Sequence, residues 1–96
     1  MMKAEIYLSR GEREGMFKAE LYRDGIKLTE ARTGEFSQQQ IVTLAENFYK
    51  GLALGGVEEE VTIEIKNRGI GGKRCRTIDD QIQKRLGEIK IRRNMN

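Results

Sequence analysis

Histidine, proline and tryptophan are absent from this 96-residue chain, and cysteine occurs once. Lack of histidine removes the commonest general base and the commonest metal ligand. A single thiol, Cys75, cannot form an internal disulfide, which fits a reducing cytoplasmic setting. No apolar run approaches the length of a membrane span and no signal-peptide pattern opens the sequence, so no membrane partner is expected. No paired cysteines and no acids converging on strand ends accompany these gaps. A catalytic set is therefore missing, and neither a cofactor nor a metal is expected.

What is present is one modest core and a great deal of charge. At 38% hydrophobic and 34% charged, 96 residues suffice for a single domain spanning 1–96. The net charge of +3 conceals a division along the chain. Residues 1–65 hold eight Lys/Arg against twelve Asp/Glu, a balance of −4; residues 66–96 hold ten against three, a balance of +7. A basic final third points to a polyanion or an acidic protein surface as partner; the other reading is a solubilising tail.

The stretch Phe36 to Gly56 organises the rest. Ser37 is a good N-cap and Gln40, three residues on, completes a capping box, while Phe36 and Ile41 form a hydrophobic staple across it. Ile41, Leu44, Ala45, Phe48 and Leu52 recur at helical spacing, and Gly55 and Gly56 end the helix. Before it, Lys3 to Ser9 alternates with Ala4, Ile6 and Leu8 on one side. Met16 to Arg23 alternates with Phe17, Ala19 and Leu21 inward. Asp24-Gly25 is a strong two-residue hairpin signal. A third strand runs from Ile26 to Thr33 with Ile26 and Leu28 inward; Glu30 and Arg32 on that face mark a bulge or an edge.

After the helix, Glu58–Glu60 reads as a solvated turn, or as an acidic triplet able to dock a basic partner, and Val61 to Ile65 is a fourth strand. Asn67 to Arg76 reads as a flexible basic loop, and Thr77 caps a second, short helix striped by Ile78, Ile82 and Leu86 and ended by Gly87. Residues 88–93 then form a fifth strand with Ile89 and Ile91 inward. A longer helix through Gly87 to Ile89 competes with that strand, which is preferred because an interior glycine costs a helix about 1 kcal/mol. The expected class is α+β, in the order β-β-β-α-β-α-β, with a mixed five-stranded sheet ordered 3-2-1-4-5. Two crossovers in one direction and of one hand put both helices on one face.

That order resembles the core of the ribonuclease H-like fold. The family carries metal-binding acids at the ends of its first and fourth strands and near the start of its first helix. Ser9, Gln40 and Lys66 stand there in this sequence, so the resemblance implies a scaffold without nuclease chemistry. The stretch IEIKNRGIGGKRCRTIDDQI also looks like the strand, basic glycine loop and helix of certain ribosomal RNA-binding proteins, although their proline-bearing turns are missing. Both likenesses imply nucleic acid as partner, by analogy of fold.

The residues themselves supply a second argument. Lys66, Arg68, Lys73, Arg74 and Arg76 surround Gly69, Gly71 and Gly72, where glycine lets backbone N–H groups approach phosphate and the cations neutralise it. Arg92 and Arg93 extend the basic stripe if the fifth strand forms. Tyr7 and Tyr22 on the open face can stack on bases or pair with each other across strands. Arg74 and Arg76 flanking Cys75 would favour its thiolate, but no base or second cysteine accompanies it, so the residue reads as incidental. The expected function is a non-catalytic nucleic-acid-binding module. Its alternative is a protein that docks on an acidic surface of a larger nucleoprotein machine and inhibits it, in the general character of phage or mobile-element proteins such as anti-CRISPRs. An edge strand could also pair with a second copy.

Overall fold

The first alternating segment forms strand β1, Met2–Arg10, in the computed structural model, which describes residues 2–28, 34–53 and 61–94, with 91–94 by their backbone alone. Strand β2 (Phe17–Arg23) pairs antiparallel with β1, and β3 (Ile26–Lys27) pairs with β2. Asp24 and Gly25 have φ of 49° and 83°, the left-handed pair of a primed two-residue turn. Helix α1 (Gln38–Ala53) crosses over to β4 (Val61–Arg68), which lies parallel to β1. Helix α2 (Gly72–Asn94) follows. The order in the sheet is 3-2-1-4.

The capping box on α1 forms in both directions. The Ser37 N–H donates to Gln40 Oε1 at 2.7 Å and the Gln40 N–H donates to Ser37 Oγ at 3.2 Å. Phe36 is tied to the start of β2 by two backbone hydrogen bonds with Phe17, both 2.8 Å. The deepest line of the helix is Ile41, Ala45, Tyr49 and Ala53, with Leu44, Phe48 and Leu52 packed half-buried beside it. Tyr49 is thus a core residue that the expected stripe left out.

Both helices cover the sheet face that carries Ala4, Ile6 and Leu8. Their buried residues, Ile41 and Ala45 from α1 and Cys75, Ile78, Ile82 and Leu86 from α2, join one cluster with those three and with Val61 and Ile63. Full burial of an aliphatic side chain contributes about 1.5–3 kcal/mol. Ile6, Leu8, Ile41, Ile78 and Ile82 all reach it.

Four expectations are corrected. Residues 88–93 are not a fifth strand; they continue α2 through Gly87 to Asn94, and the sheet has four strands in the described residues. The glycine penalty loses because the helix is already nucleated and each added residue gains a hydrogen bond, while Ile89 falls in line with Ile78, Ile82 and Leu86 on the core. Second, α2 begins at Gly72 and not at Thr77, so half of the expected basic loop, residues 72–76, is helical. The Thr77 hydroxyl donates to the Lys73 carbonyl at 3.0 Å inside the helix instead of capping it. Third, Ile26 does not point inward but is 69% exposed on the edge strand. Fourth, β4 runs past Ile65 to Arg68, so Lys66 and Arg68 belong to the sheet. Glu30, Arg32, Gly55, Gly56 and Glu58–Glu60 lie outside the described residues.

Two substitutions test these packing claims by denaturant unfolding. Ile82→Ala empties a fully buried site and is expected to cost about 2–5 kcal/mol. A Cβ at Gly87 meets nothing within 4 Å, so Gly87→Ala should stabilise the chain by about 0.5–1 kcal/mol. A destabilised Gly87→Ala would contradict the continuous helix.

Candidate functional site

Parallel pairing of β1 with β4 brings their carboxyl ends to one end of the sheet, and α2 starts from there. Ser9 faces Arg68 in the register, so Arg10 stands beside the loop that follows β4. That loop is short. Gly69 adopts a φ of 94°, the Asn67 side chain accepts the Ile70 N–H at 2.9 Å, and Ile70 is buried, which anchors the turn in the core. The Gly71 carbonyl accepts the Cys75 N–H at 2.9 Å as the first bond of the helix.

Gly71 has no side chain to cap the helix it opens. Among the described residues no group accepts a hydrogen bond from the first helical N–H groups, and no acid occupies the first turn. Lys73 and Arg74 sit there instead, with Arg76 at the start of the next turn, where the helix dipole already carries positive charge. Arg10 and Arg74 line a shallow depression with the turn Gly11–Met16, Phe17, Ile70 and Gly71. The Arg74 guanidinium lies 5.4 Å from the centre of the Phe17 ring. Among the described residues Arg10, Lys73, Arg74 and Arg76 have no carboxylate partner.

Arg13, on the same rim, is different. Glu35 accepts its backbone N–H at 3.0 Å and approaches its guanidinium at 3.9 Å. That N–H is the main reason the Glu35 carboxyl is held below its usual range; partial burial works against it, and the Glu12 N–H and the charges of Arg13 and Lys18 add to the lowering. Glu12 and Glu14 are exposed on this turn, so the depression carries both signs of charge.

The remaining expected site residues are elsewhere. Lys66 and Arg68 project from the open face of the sheet, where acids neutralise them. Lys66 Nζ is 3.2 Å from Glu64 and 3.9 Å from Glu5, and Arg68 reaches Glu20 at 3.1 Å. Lys3 and Lys27 join the same network through Glu64 and Glu20. Tyr7 and Tyr22 are not free platforms: their rings meet edge to face at 4.8 Å, and Arg68 covers Tyr7 at 4.2 Å from its centre. Their hydroxyls donate to Glu5 and Glu20. Arg92 and Arg93 do not extend a stripe along the sheet. They belong to the last turns of α2, about 27 Å along the helix from Arg74 at 1.5 Å per residue.

Cys75 also departs from expectation. It is buried, and burial with the nearby Asp79 carboxylate pushes its thiol up instead of favouring the thiolate. Arg10 was missed altogether, although a signal existed: the parallel register that places Ser9 beside Arg68 puts the next residue at the rim.

Comparison of the chain with protein-family models, with curated proteins and with solved structures found no match. No helix among the described residues is long and apolar enough to cross a membrane.

Two measurements check this electrostatic description. The Glu64 carboxyl is held below its usual range by hydrogen bonds and charge from Lys66 first and Lys3 second. Whatever stability this lends is present above the unfolded-state pKa and lost as pH falls through the lower folded value. An NMR titration should place the Glu64 midpoint below that of a free glutamate, and Lys66→Ala should raise it. The native Cys75 thiol should react with an aromatic disulfide reagent far more slowly than the unfolded chain; equal rates would contradict its burial.

Proposed function

We propose that this chain is a non-catalytic cytoplasmic module that grips the phosphate backbone of RNA or DNA at the carboxyl ends of β1 and β4. The observation that carries this reading is that Arg10 and Arg74 line one depression at the start of α2, with Lys73 and Arg76 on the first two turns of the same helix, and that among the described residues none of the four meets a carboxylate where the unmet N–H groups of α2 emerge. An anion there would satisfy the helix terminus and relieve the repulsion among these side chains. Contacts of this kind position a nucleic acid without reading its bases. Lys66 and Arg68 take a supporting role, since each is already engaged by glutamate on the open face. The order 3-2-1-4 supports the likeness to the first four strands of the ribonuclease H-like core. Ser9, Gln40 and Lys66, none of them a carboxylate, support a scaffold that does not cleave; Gln40 is moreover committed to the α1 cap.

A second reading rests on Glu12 and Glu14. A rim of mixed sign suits a protein surface better than an unbroken line of phosphates. It makes the chain an inhibitor or regulator that docks on a nucleoprotein machine, in the manner of phage and mobile-element proteins.

Binding to fluorescent single-stranded RNA and duplex DNA across a salt series decides between them. Four backbone contacts predict an affinity that falls roughly a hundredfold between about 50 and 200 mM salt. Arg74→Glu with Arg76→Glu should weaken binding to every sequence alike. Absent or salt-insensitive binding to all nucleic acids tested would remove the first reading. A partner that stays bound in affinity purification after nuclease treatment would favour the second.

A further inference from the structure

Among the described residues, β4 pairs with β1 on one side only. Among the described residues one side-chain hydrogen bond reaches its other edge: Gln83 of α2 donates to the Ile63 carbonyl at 2.8 Å. The Lys3 carbonyl accepts the Asp24 N–H, so Lys3, Glu5 and Tyr7 bond to β2 while Ala4, Ile6 and Leu8 bond to β4, which leaves Ile63, the register partner of Ala4, with its carbonyl on the free side of the strand. Backbone groups alternate along a strand in a parallel pair. The set Val61, Ile63, Ile65 and Asn67 therefore turns its N–H and C=O groups outward, while Thr62, Glu64, Lys66 and Arg68 bond to β1. A strand of eight residues with an open ladder is a template for another strand.

Its charge pattern selects the occupant. In an antiparallel pair of identical strands, a two-fold axis at one residue sets every other partner. Centred on Ile65, Glu64 falls opposite Lys66 of the second copy and Lys66 opposite its Glu64. Thr62 falls opposite Arg68, and Ile65 meets itself with both hydrogen bonds exchanged. The neighbouring registers lack this match. An axis at Glu64 or Lys66 places like charges directly opposite, and one at Asn67 sets Lys66 against Arg68. One at Ile63 leaves Glu64 facing Thr62 over a shorter overlap.

We propose that two copies of this chain join through their β4 edges, antiparallel and centred on Ile65, into one continuous sheet of eight strands. Ile65 is only half-buried although it lies on the core face, and Ile89 of α2 is half-buried as well; the second copy covers this flank. Ile63 keeps its bond to Gln83, because a carbonyl accepts two hydrogen bonds and Asn67 of the second copy supplies the other. On the open face, the Lys3–Glu64–Lys66 chain of ion pairs runs across the junction without a break. The inference does not draw on the nucleic-acid reading, since it uses only the β4 backbone and the charges of Glu64 and Lys66.

Sedimentation equilibrium of nucleic-acid-free full-length protein tests it, with circular dichroism to confirm folding. The wild type is expected to associate reversibly to a dimer and no further. Glu64→Lys alone, or Lys66→Glu alone, sets like charges across the axis twice and should raise the dissociation constant about tenfold. The double variant Glu64→Lys/Lys66→Glu restores opposite charges and should recover the dimer. In the wild type, the amides of Ile63, Ile65 and Asn67 should exchange more slowly as protein concentration rises. A protein that stays monomeric into the sub-millimolar range overturns the proposal. So does a dimer that the single charge reversals leave unchanged, or concentration-independent exchange at Ile65.

Discussion

Strand β1 is hydrogen-bonded along both edges, antiparallel to β2 and parallel to β4, and everything else is arranged by that fact. A central strand cannot adjust its register without breaking two ladders at once. A slip of one residue would also turn Ala4, Ile6 and Leu8 to solvent. These three have no exposed surface, and the buried lines of both helices close on them. Pinning β1 therefore pins the apolar face, and the apolar face dictates where the helices lie.

Division of the sheet into two unlike faces follows from this. The covered face is filled by apolar side chains, mostly aliphatic, and among the described residues no polar or charged residue is buried. The uncovered face settles its own charges, with Glu5, Glu20 and Glu64 each answering lysine or arginine on a neighbouring strand. Exposed pairs of this kind add little stability singly. Their effect is to neutralise much of the open face, while Arg10, Lys73, Arg74 and Arg76 near the strand ends meet no carboxylate among the described residues. The pattern explains how a chain with only a small net charge can present a local cationic surface.

Much of this was legible in the residues. Ser37 and Gln40 announce the start of α1, Asp24-Gly25 announces its turn, and the alternation of β1 and β4 identifies their buried faces. A meander followed by a crossover also brings β4 beside β1. The second helix was misjudged at both ends for one reason. Gly71, Gly72 and Gly87 speak locally against helix, but Cys75, Ile78, Ile82, Leu86 and Ile89 form a line long enough to override them through packing. At the site, composition announced cations but not their partners. That Arg68 is held by Glu20 while Arg74 is not depends on strand pairing that no local pattern contains. Cys75 shows the same limit: its neighbours in sequence are arginines, yet its neighbours in space are the core and Asp79.

The central pairing also imposes an order of assembly. β1 and β2 are joined by a tight turn and can zip together as soon as both exist. β4 reaches β1 only across the intervening chain, with Val61 aligned on Met2, and α1 must be in place to deliver it. Closing so distant a contact is slow compared with forming a hairpin. In the interval β1 stands with one ladder unfilled and its aliphatic row uncovered, the condition in which foreign strands are captured. During synthesis that interval lasts until β4 has left the ribosome. Demand for chaperone attention thus falls on β1 and is relieved by a strand made later.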